Sequence, residues 1–241
     1  MKISVVVPAF NEEKFLGESL GSIRAALRPL EERGWETELW VCDNNSTDRT
    51  AEIARAAGAR VVFEPVNQIA RARNTGAAQA TGDWLLFIDA DSQPSPELLA
   101  EMAEVIARGD CLAGGSTVWF DRFHLGAAPA NLLWNALSRG LKWVAGSFIF
   151  CETASFRAVG GFNQELFASE EIDLSKRLKE RARAEGRRIV ILHRHPLRTS
   201  ARKMHLYTVR DHLAFLTRLA LGRGQTLRDP KQCFLWYEGR R

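Results

Sequence analysis

Apolar runs alternate with amphipathic stretches through the first half of the chain. Ile3–Val7 is an apolar run interrupted only by Ser4, the pattern of a strand buried on both faces, and Pro8 closes it. From Glu12 to about Leu30, the positions Phe15, Leu16, Leu20, Ile23 and Leu27 recur at helical spacing. Glu38–Cys42 predicts a second strand. The polar turn Asp43–Asp48 follows, then a helix capped by Thr47 or Asp48 that runs to about Ala57 and stops at Gly58. Arg60–Phe63 predicts a third strand, Gln68–Ala80 a third helix stopped at Gly82, and Trp84–Ile88 a fully apolar fourth strand. Ser95 caps a helix over Pro96–Arg108, with Pro96 at the favoured first position.

This order predicts an α/β fold: a mostly parallel, Rossmann-like sheet with flanking helices and ligands at the carboxyl ends of its strands. Asn11-Glu12, Asp43–Asp48 and Asp89–Asp91 each follow a strand directly, so all three should rim one crevice. After Cys111 the rhythm becomes mixed. Leu112–Phe120 and Trp143–Cys151 read as strands around a helical insertion from about Ala128 to Arg139. Ser169–Arg183 reads as a helix capped by Ser169, Arg188–Leu192 as a last strand, and Leu206–Leu221 as an amphipathic helix. The expected organisation is one domain over 1–205, with a nucleotide half (1–110) and a mixed second half (111–205). A C-terminal amphipathic helix and tail occupy 206–241.

Composition is ordinary for a globular enzyme, with 46% hydrophobic and 26% charged residues over 241 positions. The net charge of +4 hides an asymmetry. From Arg187 onward there are thirteen Lys/Arg against three Asp/Glu, leaving twenty against twenty-six before it. Such a tail suits an anionic lipid surface or a phosphate-bearing substrate; without aromatic interleaving or a recognised module, nucleic acid is not expected. Met1-Lys2 runs straight into the first strand rather than into a leader, and no apolar run reaches the ~18–20 residues a membrane span needs. The four separated cysteines read as reduced thiols, which fits the cytoplasm.

Asp89 and Asp91 carry the first chemical signal. In an extended chain, residues i and i+2 point the same way, so both carboxylates would face one small volume at the open end of the sheet. Two anions held so close call for a cation. A hard divalent ion, Mn2+ or Mg2+, bound by one or two carboxylates and by the oxygens of a diphosphate, meets that need. An exposed acidic turn helped by Ser92, Pro94 and Pro96 is the alternative. No G-x-G-x-x-G fingerprint follows the first strand, as a dinucleotide enzyme would require.

The chain carries, in order, Val7-Pro-Ala-Phe-Asn-Glu-Glu13, Asp43-Asn-Asn-Ser-Thr-Asp48, Ala70-Arg-Ala-Arg-Asn-Thr-Gly76, Asp89-Ala-Asp91, Gly160-Gly-Phe162 and Ser169-Glu-Glu-Ile-Asp-Leu174. This series resembles the family 2 glycosyltransferases of the GT-A fold over roughly residues 1–185. The resemblance implies that Pro8, Ala9 and Glu12 embrace the nucleoside, with Glu12 on a ribose hydroxyl, and that Asp43 accepts the N3–H of a uracil-like base. It gives Arg73 a phosphate or Asp89 as partner, beside Asn74 and the less defined Arg71. Asp91 becomes the metal ligand, and Asp89 lies near ribose and metal. Glu171 stands where the family usually has the Asp general base, and Glu170 stays open for that role.

Each assignment has a plainer reading. Glu12 suits the first turn of a helix, Asp43 an Asx-turn, Arg73 a solvated helical charge, and the three acids after Ser169 a helix start. Asp173 and Arg177 form an i,i+4 pair, and Gly76 allows close helix–sheet packing. Gly146 and Gly160-Gly161 fall where the family brings bare backbone to sugar and acceptor, though tight turns also need glycine. Trp119, Trp134 and Trp143 suit either stacking or core. His193 and His195 could complete a metal shell or be polar surface. Arg202, with Arg198 and Lys203, could close over the diphosphate.

The implied activity is metal-dependent, inverting transfer of a sugar from a nucleoside-diphosphate sugar, UDP-linked first and GDP-linked second, to an acceptor the sequence does not name. A nucleotidyltransferase, or a sugar-nucleotide-binding protein without turnover, is the alternative. The first would want a Gly-rich basic loop after the first strand, and the second is favoured only by Glu in place of Asp at the base. The basic tail suggests peripheral contact at the inner face of a membrane, unless its helix packs back on the sheet.

Overall fold

A computed structural model describes residues 1–120, 128–144, 146–200 and 225–233. The chain runs β1 (Lys2–Ala9), α1 (Leu16–Glu31), β2 (Glu36–Asp43), α2 (Thr50–Ala56), β3 (Arg60–Phe63), α3 (Ile69–Gln79) and β4 (Trp84–Ile88). It continues through β5 (Ser92–Gln93), α4 (Pro96–Ala107), β6 (Cys111–Phe120), α5 (Ala128–Leu141), β7 (Phe148–Glu152), α6 (Thr153–Ala158), α7 (Glu170–Ala184) and β8 (Arg188–Thr199). The strands form one sheet in the order β3-β2-β1-β4-β7-β6-β8-β5. The first four are mutually parallel where they pair, whereas β7 runs antiparallel to both β4 and β6. The expected parallel half and mixed second half are therefore both present.

Side-chain alternation makes the sheet the middle of three layers. Ile3, Val5 and Val7 of β1, with Trp84, Leu86 and Ile88 of β4, pack on the layer holding α1 and α4. Val6, Leu85 and Phe87 face the other way, toward α3, α6 and α7. On that side Phe87, Phe156 and Phe162 form a ring cluster with centroids 5.1–5.6 Å apart. Fully burying one such side chain contributes about 1.5–3 kcal/mol. Gly76 lets α3 sit this close to the sheet, since a Cβ there would meet Val6 Cγ1 at 2.5 Å.

Several boundaries differ from the sequence expectation. β1 continues through Pro8 and Ala9, which pair with Cys42 and Asp43 of β2. A proline is tolerated there because the ladder to β4 ends at Val6. α1 begins at Leu16 rather than Glu12, because Asn11 sits at φ +52° and the Glu12 N–H donates to Thr50 Oγ1. β7 begins only at Phe148, since the Val144 N–H is taken by Ser175 Oγ on α7. β8 runs on to Thr199, paired with the end of β6 beyond an irregularity at Ser116/Val118. The two-residue β5 and the short α6 are too brief for periodicity to announce.

Candidate active site

The carboxyl ends of β1, β2 and β4 bring the first three polar clusters together. Two loops interlock behind β1 and β2: the Asn11 N–H donates to Ser46 Oγ at 3.0 Å, and the Thr47 N–H to Asn11 Oδ1 at 2.8 Å. Asp48 fixes Thr50, whose hydroxyl in turn holds the Glu12 amide at 2.8 Å. Pro8, Ala9 and Glu12 are all buried at this rim. Glu12 lies just ahead of α1, where its carbonyl accepts the Leu16 N–H at 2.9 Å. Asp43 is 7% exposed, and its Oδ1 accepts the Ser46 N–H at 3.1 Å. This bond reaches three residues on, one further than an Asx-turn, and the carboxylate keeps a second oxygen for a ligand.

Two residues of this wall escaped the sequence reading. Asn44 Nδ2 donates to the carbonyls of Glu64 and Val66, and its Oδ1 accepts the Gln68 N–H at 2.9 Å. Gln68 Nε2 reaches the carbonyls of Gln164 and Leu166, at 2.8 and 2.9 Å. These bonds tie the nucleotide half to a loop nearly a hundred residues later. An Asn beside an acidic strand end was a visible signal for the first; nothing in sequence marks the second.

Arg73, on α3, is the hub. It is 2% exposed; Nη2 pairs with Asp89 Oδ1 at 3.0 Å and Nη1 with Glu170 Oε1 at 2.8 Å. Its guanidinium lies 5.1 Å from the Phe162 ring centroid. A solvated helical charge is therefore the wrong reading of Arg73. Burial opposes its charge, but Asp89, Glu170 and Glu171 outweigh that and hold its pKa above the ordinary value. Asn74, next along, accepts the Phe162 N–H and donates to the Phe162 carbonyl, so it clasps the glycine turn. Arg71 leans on Gln68 Oε1 at 3.1 Å.

Asp89 and Asp91 stand at the end of β4, in a turn rather than in extended chain: the Ser92 N–H closes back on the Asp89 carbonyl at 3.1 Å. The alternation argument for their common facing therefore does not apply. The Asp89 side chain is 22% exposed with one oxygen on Arg73, while Asp91 is half-buried and its carbonyl accepts from Ser200 N. Among the described residues no group of three or more His, Cys, Asp and Glu converges as a metal cage. A two-carboxylate edge still fits a hard ion that takes most of its oxygens from a diphosphate. His193 is exposed, and His195 acts on Glu97 at the start of α4. Both belong to mid-β8, ahead of the Leu197–Ser200 end that borders Asp91.

The acids at the start of α7 close the site from the other half. Ser169 does not cap them: it sits at φ +62°, left-handed, and its side chain makes no capping bond. Such a backbone is costly for a non-glycine residue and recurs at functional sites. Burial first, then the Glu171 carboxylate, push Glu170 up to about 8 against the pull of Arg73. Glu171 is half-buried, and its Oε2 is enclosed without a hydrogen-bond partner among the described residues. Asp173 pairs with Arg177 at 2.5 Å, as the spacing predicts. Cys233, in the last described segment, lies close enough to Glu170 to feel its charge, and the Phe167 N–H donates to the Leu227 carbonyl. The remaining expectations are quickly placed. Gly146 precedes Ser147, whose carbonyl accepts the Asp89 N–H at 3.2 Å. Trp119 is 46% exposed rather than core, and Trp143 is half-buried. Arg202, Lys203 and the stretch 206–221, expected as a helix, lie outside the described residues, as does the Trp134 side chain.

Known proteins share both sequence and shape with this chain. A dolichol-phosphate mannosyltransferase of Pyrococcus furiosus is 34% identical over 124 residues, 48% of this chain and 33% of the relative. An undecaprenyl-phosphate 4-deoxy-4-formamido-L-arabinose transferase of Pseudomonas paraeruginosa is 36% identical over 120 residues, 46% of this chain and 34% of the relative. The chain thus spans about a third of the length of these curated relatives. Among solved structures, S. aureus TarS 1-349 in complex with UDP-GlcNAc superposes with a TM-score of 0.65 at 23% identity, covering 91% of this chain and 65% of that one. Glucosyl-3-phosphoglycerate synthase from Mycobacterium tuberculosis, in complex with Mn2+, UDP-glucose and phosphoglyceric acid, gives a TM-score of 0.61 at 23% identity over 91% and 77% of the two chains. At these identities the likeness shows the fold, an α/β domain of GT-A type. The profile described as Glycosyl transferase family 2 matches residues 4–124, half of the chain, so this chain belongs to glycosyl transferase family 2.

Proposed function

We propose that this chain transfers a sugar from a UDP-linked donor, with GDP-linked donors second, to an acceptor by an inverting, metal-dependent mechanism. The observation that carries the reading is the Arg73 bridge, which joins a strand-end carboxylate, Asp89, to the acids of α7 through one buried cation. Pro8, Ala9, Glu12 and Asp43 hold the nucleoside, with Asp43 accepting from the base through its second oxygen. Asp91 and Asp89 hold Mn2+ or Mg2+, which when bound offsets the charge appearing on the departing diphosphate. Glu171 takes the acceptor's proton; its unpartnered buried oxygen supports it over Glu170, which is engaged by Arg73. Arg202 remains the candidate for closing over the diphosphate.

The names of two relatives, which print dolichol phosphate and undecaprenyl phosphate, support a polyprenyl phosphate as the first acceptor to screen. They also favour a cytoplasmic chain working peripherally at a membrane, with 206–241 as its docking tail; no helix among the described residues is long and apolar enough to cross one. Calorimetric titration of UDP and UDP-sugars, with and without Mn2+, tests the core of the reading. Wild type should bind far more tightly with metal, and Asp91→Ala should lose that gain while keeping its fold. Equal affinities with and without metal in both proteins would remove the metal assignment.

A further inference from the structure

A second concentration of charge lies at the other end of α7, away from the donor crevice. A cleft of about 330 Å³ opens between the end of α5, the last turns of α7 and the start of β8. Its charged lining is wholly basic: Lys142, Lys179, Arg183, Arg187 and Arg188. Arg187 is answered by Glu152 and Glu185, and Arg188 by Asp110. Lys142, Lys179 and Arg183 have no carboxylate partner among the described residues. Along the axis of α7, Lys179 and Arg183 stand roughly 14–20 Å from Glu170 at the usual rise per residue.

Helix dipoles explain part of this arrangement. Lys179 Nζ donates to the Leu141 carbonyl at the end of α5, and Arg183 sits in the last turn of α7, where cations are favoured. They do not explain Lys142. It follows α5 at φ +50°, a left-handed position where glycine is the usual choice, and it adds a third cation to two that already repel. The repulsion registers at Lys179, whose pKa is lowered by burial and then by Arg183 and Lys142. No carboxylate among the described residues of the cleft pairs with these three cations to offset that repulsion; an external anion would.

We propose that this cleft is a second anion site, separate from the donor crevice, that takes a phosphate group. Two ammonium groups and a guanidinium offer many donors to a small multi-oxygen anion, which phosphate fits better than a single carboxylate does. The phosphate has two possible sources, a free solute and a lipid headgroup. Leu137 and Leu141, 40% and 43% exposed on the same helix, provide the apolar border that a headgroup in a bilayer would also contact.

The test uses the full chain with two probes: inorganic phosphate by calorimetry, and phosphatidylcholine vesicles with and without phosphatidic acid by flotation. Lys142→Glu/Arg183→Glu reverses two exposed charges outside the donor machinery, and Arg24→Glu/Arg28→Glu reverses two on α1 as a control for general charge. Melting temperature and UDP affinity report whether each variant is intact. The cleft variant should lose at least tenfold in phosphate affinity, vesicle binding or both, while the control keeps wild-type binding. Saturable binding of inorganic phosphate identifies a solute site; binding to phosphatidic acid vesicles alone identifies a headgroup site. Absence of both, or equal behaviour of the two variants, overturns the proposal.

Discussion

Removing Arg73 should show how the two halves of the site depend on each other. Arg73→Met keeps an apolar stem against Phe162 but leaves Glu170 facing a buried gap. Breaking a buried ion pair from one side costs about 3–5 kcal/mol. Glu170 can relieve part of that by holding a proton, because burial and Glu171 already raise its pKa to about 8. Near pH 6 the carboxyl is therefore largely protonated in both proteins, and the loss reduces to a hydrogen bond from a charged donor, about 1.5–3 kcal/mol. Near pH 9 wild type carries the ionised pair and the variant does not, so a raised pKa in the variant widens the gap by up to about 1.4 kcal/mol, the one pH unit above the wild-type pKa. The sign follows from linkage. Glu170 titrates higher folded than unfolded, so its contribution is full below about 4.5 and fades as pH rises through about 8. In Arg73→Met the fading continues further, so the gap between the proteins widens with pH. Urea denaturation at the two pH values, on Arg73→Met, Glu170→Gln and the double variant, measures it. The cycle should return a coupling of about 0.5–3 kcal/mol. Additive losses that do not change with pH would refute the bridge.

Three other outcomes can be checked directly. Glu171→Gln should lower kcat by roughly 10²–10⁴-fold with little change in donor affinity, as expected for a group acting in the transition state; full activity would move the base to Glu170. Gly161→Ala should destabilise by about 1–3 kcal/mol in urea, because Gly161 sits at φ +68° and a Cβ would meet Asn74 Oδ1 at 2.7 Å; a neutral result would mean the Asn74 clasp can shift freely. Asp43 should make UDP bind more tightly than GDP, and both more tightly than CDP, since cytosine has no N3–H to donate; calorimetry showing CDP as the best ligand would exclude Asp43 as the base-reading acid.

The sequence by itself determined the parallel half of the sheet, because apolar runs of strand length and amphipathic helices are local patterns that a buried parallel sheet requires. It also determined that Asn11-Glu12, Asp43–Asp48 and Asp89–Asp91 share a rim, because strand ends in such a sheet point one way. It placed Ser95 as the cap of α4, whose hydroxyl does accept the Leu98 N–H. Tertiary structure alone decided where α1 starts, since Thr50 captures the Glu12 amide, and that Asp89 to Asp91 form a turn rather than a strand end. It alone gave Gln68 its carbonyl partners and Asn74 its clasp. It also turned Arg73 from a surface charge into a buried bridge across ninety-seven positions of chain. The physical reason is range: periodicity and capping act within a few residues, whereas the partner of a buried polar group is whichever one the packed layers bring to it.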